Sequence, residues 1–331
     1  MEFNNETIRT AVQLYVKNET EGEEKYGHIN TWNVSGVTDM FHMFSGANSF
    51  NQPLSNWNVS GVTDMFHMFS GANSFNQPLS NWNVSNVTDM HGMFFKATIF
   101  NEPLNQWDTS SVTDMEGMFA GASSFNQSLN NWNTSSVTNM AWMFDGASSF
   151  DGDISNWNTS SVTNMAYMIS APSFNQPLNK WDTCSVTNME GMLGGASSFN
   201  QPLNKWDTSS VTNMYGMFCG ASSFNQPLNW RVSNVDNMNK IFDNTPKIGK
   251  MLKKHNLTNK QFFESPTNKN VYHKLFGKKV YHELFVWPRK TDYVTFLVNN
   301  HYLPFNKHQE EHEYHPLFDN PDISKYITGY L

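Results

Sequence analysis

The stretch NVSGVTDMFHMFSGANSFNQPLSNW occupies Asn33 to Trp57, and the same twenty-five letters recur unchanged from Asn58 to Trp82. Working outward, the tryptophans mark the period: Trp32, Trp57, Trp82, Trp107, Trp132, Trp157, Trp181, Trp206 and Trp230. Steps of 25 residues dominate, with two of 24 that are single deletions. The unit is L-x-x-W-[ND]-[VT]-S-x-V-[TD]-[DN]-M-x-x-M-F-x-G-A-x-S-F-N-Q-P and runs over about residues 28–242.

Within one unit the apolar positions are Leu54, Trp57, Val59, Val62, Met65, Met68, Phe69, Ala72 and Phe75. Most lie three apart, which matches neither the 3.6 period of a long helix nor the alternation of a plain strand. Trp57-Asn58-Val59 alone alternates and predicts a short strand. Tight 3₁₀-like turns fit the rest, because they return an inward residue every third position. Pro in "QP" is expected to start each strand, and Gly in "GA" to allow a corner. A single unit cannot bury its own apolar side, but stacked units can. Trp132 is therefore expected between Trp107 and Trp157. The fold class predicted is a β-solenoid or leucine-rich-repeat-like right-handed coil with short strands and 3₁₀ turns. A helical cap precedes it at 1–27, the array fills 28–242, and a small α or α+β region fills 243–331.

The asparagines of "FNQ" (Asn51, Asn76, Asn101, Asn126, Asn175, Asn200 and Asn225, with Asp151 in one unit) recur once per unit. An amide there can serve turn backbone groups and its own copies. The threonines Thr38, Thr63, Thr88, Thr113, Thr138, Thr163, Thr187 and Thr212 read as a satisfied or solvated turn row.

Segments such as WNVSNVTDMHGMFFKA and WDTSSVTNMYGMFCGASSFNQPLNW resemble the repeats of BspA-like surface proteins, a leucine-rich-repeat-related family. The lead-in AVQLYVKNETEGEEKYGHINTWNVS is similar to the start of members found in protists and large DNA viruses. The resemblance spans about two thirds of the chain. It implies a right-handed repeat solenoid, a role in adhesion or protein binding, and no catalytic residues.

Of the 331 residues only 15% are charged, as stacked columns require, since like charges repeated in every unit repel. No run of eighteen apolar residues occurs, and the N-terminus lacks the basic start of a signal peptide. An intracellular, cytoplasmic place is expected, the alternative being a surface location as in bacterial relatives. Cys184 and Cys219 fall at different phases of adjacent units, so free thiols are expected. At the N-terminus Ile8, Ala11, Val12 and Tyr15 have helical spacing behind a cap at Asn5 or Thr7.

Charge divides the chain. Residues 1–242 hold 8 Lys/Arg against 20 Asp/Glu, a net of −12, whereas 243–331 hold 13 against 9, a net of +4. The tail carries KIGKMLKKH and a small duplication, VYHKLF and VYHELF. Basic and aromatic residues together suggest nucleic acid, but +4 over 89 residues beside an acidic array argues against it. His308, His312 and His315 are spaced to share a helix face, with Glu311 as a fourth ligand. The segment is plainly polar and reads better as solvated surface, so neither a metal nor a cofactor is expected.

A site must come from positions that the stack does not fix. The pair between the two methionines varies: Phe41-His42, Phe66-His67, His91-Gly92, Glu116-Gly117, Ala141-Trp142, Ala166-Tyr167, Glu190-Gly191 and Tyr215-Gly216. Phe41, His42, Phe66, His67, Trp142, Tyr167 and Tyr215 are expected to form a broken aromatic stripe, a candidate interface. The bland alternative is that these rings shield the methionines. The function expected is a non-enzymatic protein-interaction scaffold. Its rivals are a regular surface for a repeating ligand such as glycan or ice, which an unbroken solvent-facing threonine array would favour, and an enzyme or metal site in the C-terminal region.

Overall fold

A computed structural model describes residues 2–228 and 230–264, all of which fall within one compact unit. The duplicated VYHKLF and VYHELF segments and the candidates His308, Glu311, His312 and His315 lie outside the described residues. The elements in order are β1 (Glu2–Asn4), α1 (Asn5–Lys17), α2 (Glu19–Tyr26), a 3₁₀ turn (Ile29–Thr31), β2 (Asn33–Gly36), α3 (Pro246–His255) and α4 (Asn259–Glu264). The tandem repeats between β2 and α3 contain neither helix nor extended strand.

Each repeat is a chain of tight turns. In the second, Val62, Met68, Ala72 and Phe75 donate their N–H groups to the carbonyls of Val59, Met65, Phe69 and Ala72, each three residues back. That bond pattern explains the three-residue apolar spacing, since every turn returns one side chain inward. Successive repeats meet at single parallel bridges, Asp39 to Asp64 and onward through Asp89, Asp114, Asn139, Asn164, Asn188 and Asn213 to Asn237. The strand expected at Trp-Asn-Val appears only in the first repeat, where β2 pairs in parallel with β1. The Asx turn is common to both cases, since Asn33 Oδ1 in β2 and Asn58 Oδ1 in the next repeat each accept the N–H and the hydroxyl of the serine two residues on, so it is pairing with β1 that sets the first repeat apart. The prolines of "QP" accordingly start no strand.

The interior is a set of ladders. Trp107, Trp132 and Trp157 stack with ring centroids 6.3 Å apart. Phe94, Phe119 and Phe144 form a second column at 5.5 and 5.7 Å. Tryptophan also supplies a donor. Trp132 Nε1 gives its hydrogen to the Leu104 carbonyl of the preceding repeat at 2.9 Å, and Trp82, Trp107, Trp157, Trp181, Trp206 and Trp230 bond backward in the same way. A buried indole N–H needs such a partner. From the fourth repeat on, Thr109, Thr134, Thr159, Thr183 and Thr208 replace the buried valines Val34, Val59 and Val84. Their hydroxyls donate to carbonyls of the next repeat at 2.7–3.0 Å, which offsets the cost of burying them. The FNQ column does the work expected of it: from Asn51 to Asn200 each Asn, or Asp151, accepts the backbone N–H of its copy in the following repeat at 2.8–3.0 Å.

Both ends of the stack are closed by side chains that imitate a missing repeat. Helix α1 buries Ile8, Ala11, Val12 and Tyr15 as predicted. Its cap is Asn4, however, with Thr7 completing a reciprocal capping box. Asn5 is thereby free to accept the N–H groups of Thr38 and Asp39, and Arg9 donates to the Phe41 carbonyl and pairs with Asp39 at 2.9 Å. At the other end the basic run KIGKMLKKH forms α3, which buries Ile248 and Leu252. Thr245 Oγ1 donates to the Phe218 carbonyl, and Phe263 of α4 stacks on Trp230 at 6.0 Å. Cys184 and Cys219 are free thiols.

Candidate functional site

The variable pair follows the bridging Asp or Asn by two and three residues. Its first member donates its N–H to that side chain, as Phe66 does to Asp64 Oδ1 and His91 to Asp89 Oδ1, both at 2.8 Å. Its second member donates to the next repeat, as His67 does to the His91 carbonyl and Trp142 to the Ala166 carbonyl. This geometry turns the second member into the left-handed region in every repeat. His42, His67, Trp142 and Tyr167 have φ of 53°, 50°, 61° and 52°, and Gly92, Gly117, Gly191 and Gly216 have φ of 58°, 56°, 54° and 59°. Glycine adopts that conformation freely, whereas a side chain there costs roughly 1–2 kcal/mol.

The predicted aromatic residues gather into two patches and an outlier. Phe41 and Phe66 stack at 5.1 Å, His42 and His67 at 5.2 Å, and both second-repeat rings continue onto His91, at 4.7 Å from Phe66 and 5.2 Å from His67. Trp142 and Tyr167 stack at 4.2 Å, and the Tyr167 hydroxyl donates to Glu190 Oε1 at 2.8 Å. Tyr215 stands apart from both, its ring covered by Lys240 Nζ at 5.6 Å. Phe41 and Trp142 are each 41% exposed, among the most exposed large apolar side chains of the described residues. The rings lean toward the following repeat. A Cβ on Gly92 would run into the His67 imidazole, and one on Gly191 into the Tyr167 ring. Each aromatic run is therefore followed by a glycine that gives its last ring room.

Shielding of the methionines does not depend on these rings. Met115 and Met118 flank Glu116-Gly117, where the pair supplies no ring, and both are fully buried. Burial lowers the proton affinity of His67, helped by His91 and His42, so the neutral imidazole is favoured there. Its Nδ1 is buried without a hydrogen-bond partner. Burial and the Glu190 carboxylate raise the Tyr167 hydroxyl to about 12, which keeps it a donor.

Sequence reasoning passed over three polar residues of this surface. His91, Asp114 and Glu116 bring ligand atoms within 4.8 Å of one another, between the two aromatic patches. The signal was present but divided, since His91 and Glu116 belong to the variable pair while Asp114 belongs to the bridging column. A further row was read only as a turn feature. The eight threonines from Thr38 to Thr212 are all exposed. From Thr63 onward each hydroxyl donates to the preceding threonine carbonyl at 3.2–3.4 Å.

Among the described residues no helix is long and apolar enough to cross a membrane. The chain belongs to the family described as Mycoplasma protein of unknown function, DUF285, which it matches three times in tandem, over residues 13–110, 100–193 and 170–271. No curated protein and no solved structure matches it.

Proposed function

We propose that this chain is a non-enzymatic binding scaffold, a repeat solenoid of the BspA-like, leucine-rich-repeat-related kind that takes a protein partner on its aromatic slot. The observation that carries the reading is the left-handed backbone under His42, His67, Trp142 and Tyr167. Glycine does this job in four other repeats without strain. Bulky rings held against such a cost are a mark of functional sites. They are not needed to cover the methionines, and paired exposed aromatics are what interface hot spots are made of.

The test replaces the strained rings with the residue that neighbouring repeats use. Trp142→Gly with Tyr167→Gly relieves backbone strain while it removes the second patch, so stability should change by no more than ~1 kcal/mol. The immobilised double variant should lose the proteins that the parent retains from a cell lysate. A variant that melts far below the parent makes the rings structural. One that melts normally and retains the same proteins moves the partner site elsewhere.

One observation favours a second reading. The exposed threonine row is unbroken over eight repeats, with one hydroxyl per repeat at a spacing of about 4.8 Å. A repeating ligand such as a glycan would match that spacing. Because each hydroxyl hydrogen from Thr63 onward is spent on a carbonyl, the row offers acceptors in single file. Thr113→Val, Thr138→Val and Thr163→Val together should abolish retention on arrayed glycans under this reading and leave protein capture untouched.

A further inference from the structure

We propose that His91, Asp114 and Glu116 form a binding site for a first-row divalent cation, with Zn²⁺ as the best match. The site goes beyond the aromatic-slot reading and does not depend on it. One imidazole nitrogen and two carboxylate oxygens lie within 4.8 Å of one another, and all three residues are half-buried. A Zn²⁺ ion with ligands at 2.0–2.2 Å draws three such donors to roughly 3–3.5 Å apart, a contraction that rotation of the two carboxylate side chains can supply. The imidazole selects against Mg²⁺ and Ca²⁺, which prefer an all-oxygen shell. Water completes the coordination on the open side.

The surroundings hold these donors in place. The His91 ring is backed by Phe66 and His67. Asp114 Oδ1 accepts the Glu116 N–H at 2.8 Å. Asn139 Nδ2 donates to Glu116 Oε2 at 2.7 Å and to Asp114 Oδ2 at 3.3 Å, which draws the two carboxylates together. Each oxygen keeps a further lone pair for a cation.

The repeats themselves separate the structural role of these residues from their charge. Asn139, Asn164, Asn188 and Asn213 fill the Asp114 column and accept the same backbone N–H, so the turn does not require a carboxylate. Glu190 copies Glu116, down to the hydrogen bond that Asn213 Nδ2 donates to its Oε2 at 2.9 Å, but its neighbours are Asn188 and Ala166 in place of Asp114 and His91. Only the junction of the third and fourth repeats, among those described, combines all three donors. Charge balance points the same way. Arg9 on Asp39 is the only Lys or Arg ion pair among the described residues, and none of the described Lys or Arg side chains pairs with Asp64, Asp89, Asp114 or Glu116, which span three successive repeats.

The test uses the full chain, stripped with a chelator and titrated with Zn²⁺ by calorimetry. The expected result is one equivalent bound at this site and a rise in melting temperature. The decisive variant takes every substitution from a neighbouring repeat: His91→Phe as at Phe66, Asp114→Asn as at Asn139, and Glu116→Ala as at Ala141. It should fold normally and bind Zn²⁺ at least about tenfold more weakly. A second variant, His308→Ala with His312→Ala and His315→Ala, should keep the equivalent. The proposal is overturned if the parent binds no Zn²⁺, or if the three-repeat variant binds as tightly as the parent. Should that variant unfold, Glu116→Gln alone carries the same comparison.

Discussion

In the interior, Trp107, Trp132 and Trp157 lie almost parallel, each a copy of the last, with interplanar angles of 4° and 3°. On the surface of the same three repeats and the next, the variable pair reads Glu116-Gly117, Ala141-Trp142, Ala166-Tyr167 and Glu190-Gly191, and no pair repeats the one before it. The two regions share one backbone path. They differ in what a side chain has to satisfy. An interior ring must match the rings above and below and, for tryptophan, give its N–H to a carbonyl one repeat back. A slot residue must only tolerate a left-handed backbone and the ring leaning on it from the preceding repeat. Identity is therefore enforced in the column and left open in the slot.

The sharpest way to break this contrast is at the column. Trp132→Ala should cost about 3–5 kcal/mol, because it opens a cavity between two stacked rings. Trp132→Phe should retain much of the stack yet still cost ~1–3 kcal/mol, since the Leu104 carbonyl loses its buried donor. Denaturant midpoints of the two variants measure both. Equal stability of Trp132→Phe and the parent would mean that the indole N–H contributes nothing.

In the slot the comparison is between two glycines. Gly117→Ala meets no atom closer than 3.9 Å, so only the left-handed backbone penalises it, by roughly 1–2 kcal/mol. Gly191→Ala carries the same penalty and also strikes the Tyr167 ring, so it should be the more damaging of the two. Adding Tyr167→Gly should bring Gly191→Ala back to the level of Gly117→Ala. Failure of that rescue would show that the ring does not dictate the glycine.

The smallest effect concerns the bridging column, where Asp64, Asp89 and Asp114 stand in succession. Burial, with the charges of Asp64 and Asp114, raises the proton affinity of Asp89 above its ordinary 3.8. The folded chain thus holds that proton to a higher pH than the unfolded chain. The resulting stability is present in acid and is lost as pH rises above 3.8 through the raised folded value. In metal-free buffer at neutral pH, Asp89→Asn should stabilise the chain by about 0.2–1 kcal/mol, the scale of a like-charge cross-strand pair. The gain should vanish below the ordinary carboxylate range. An equal gain at both pH values would rule out charge as its cause.

Much of this was legible in the letters, because a repeat writes each structural demand once per unit. The period, the inward tryptophans and phenylalanines, the FNQ ladder and the helical face of Ile8, Ala11, Val12 and Tyr15 all follow from spacing. The helix cap was misread by one residue because Asn4 and Asn5 offer the same side chain. The structure divides them, one capping α1 and one serving Thr38 and Asp39. The strand at Trp-Asn-Val forms only where β1 lies beside it, a partner that alternation over three residues does not reveal.

What the sequence determined by itself is periodicity, since copies that stack must agree and the agreement is visible without coordinates. What only the tertiary structure decided is how residues of different repeats meet. Tyr167 reaching Glu190 and His91 facing Asp114 join positions 23 apart in the chain, off the period that the repeat makes visible. Neighbourhood across a stack depends on the phase of each repeat against the next. The tryptophan and FNQ ladders mark part of that phase, but the bridges and backbone hydrogen bonds that complete it use groups common to nearly every residue and so leave no mark in the sequence.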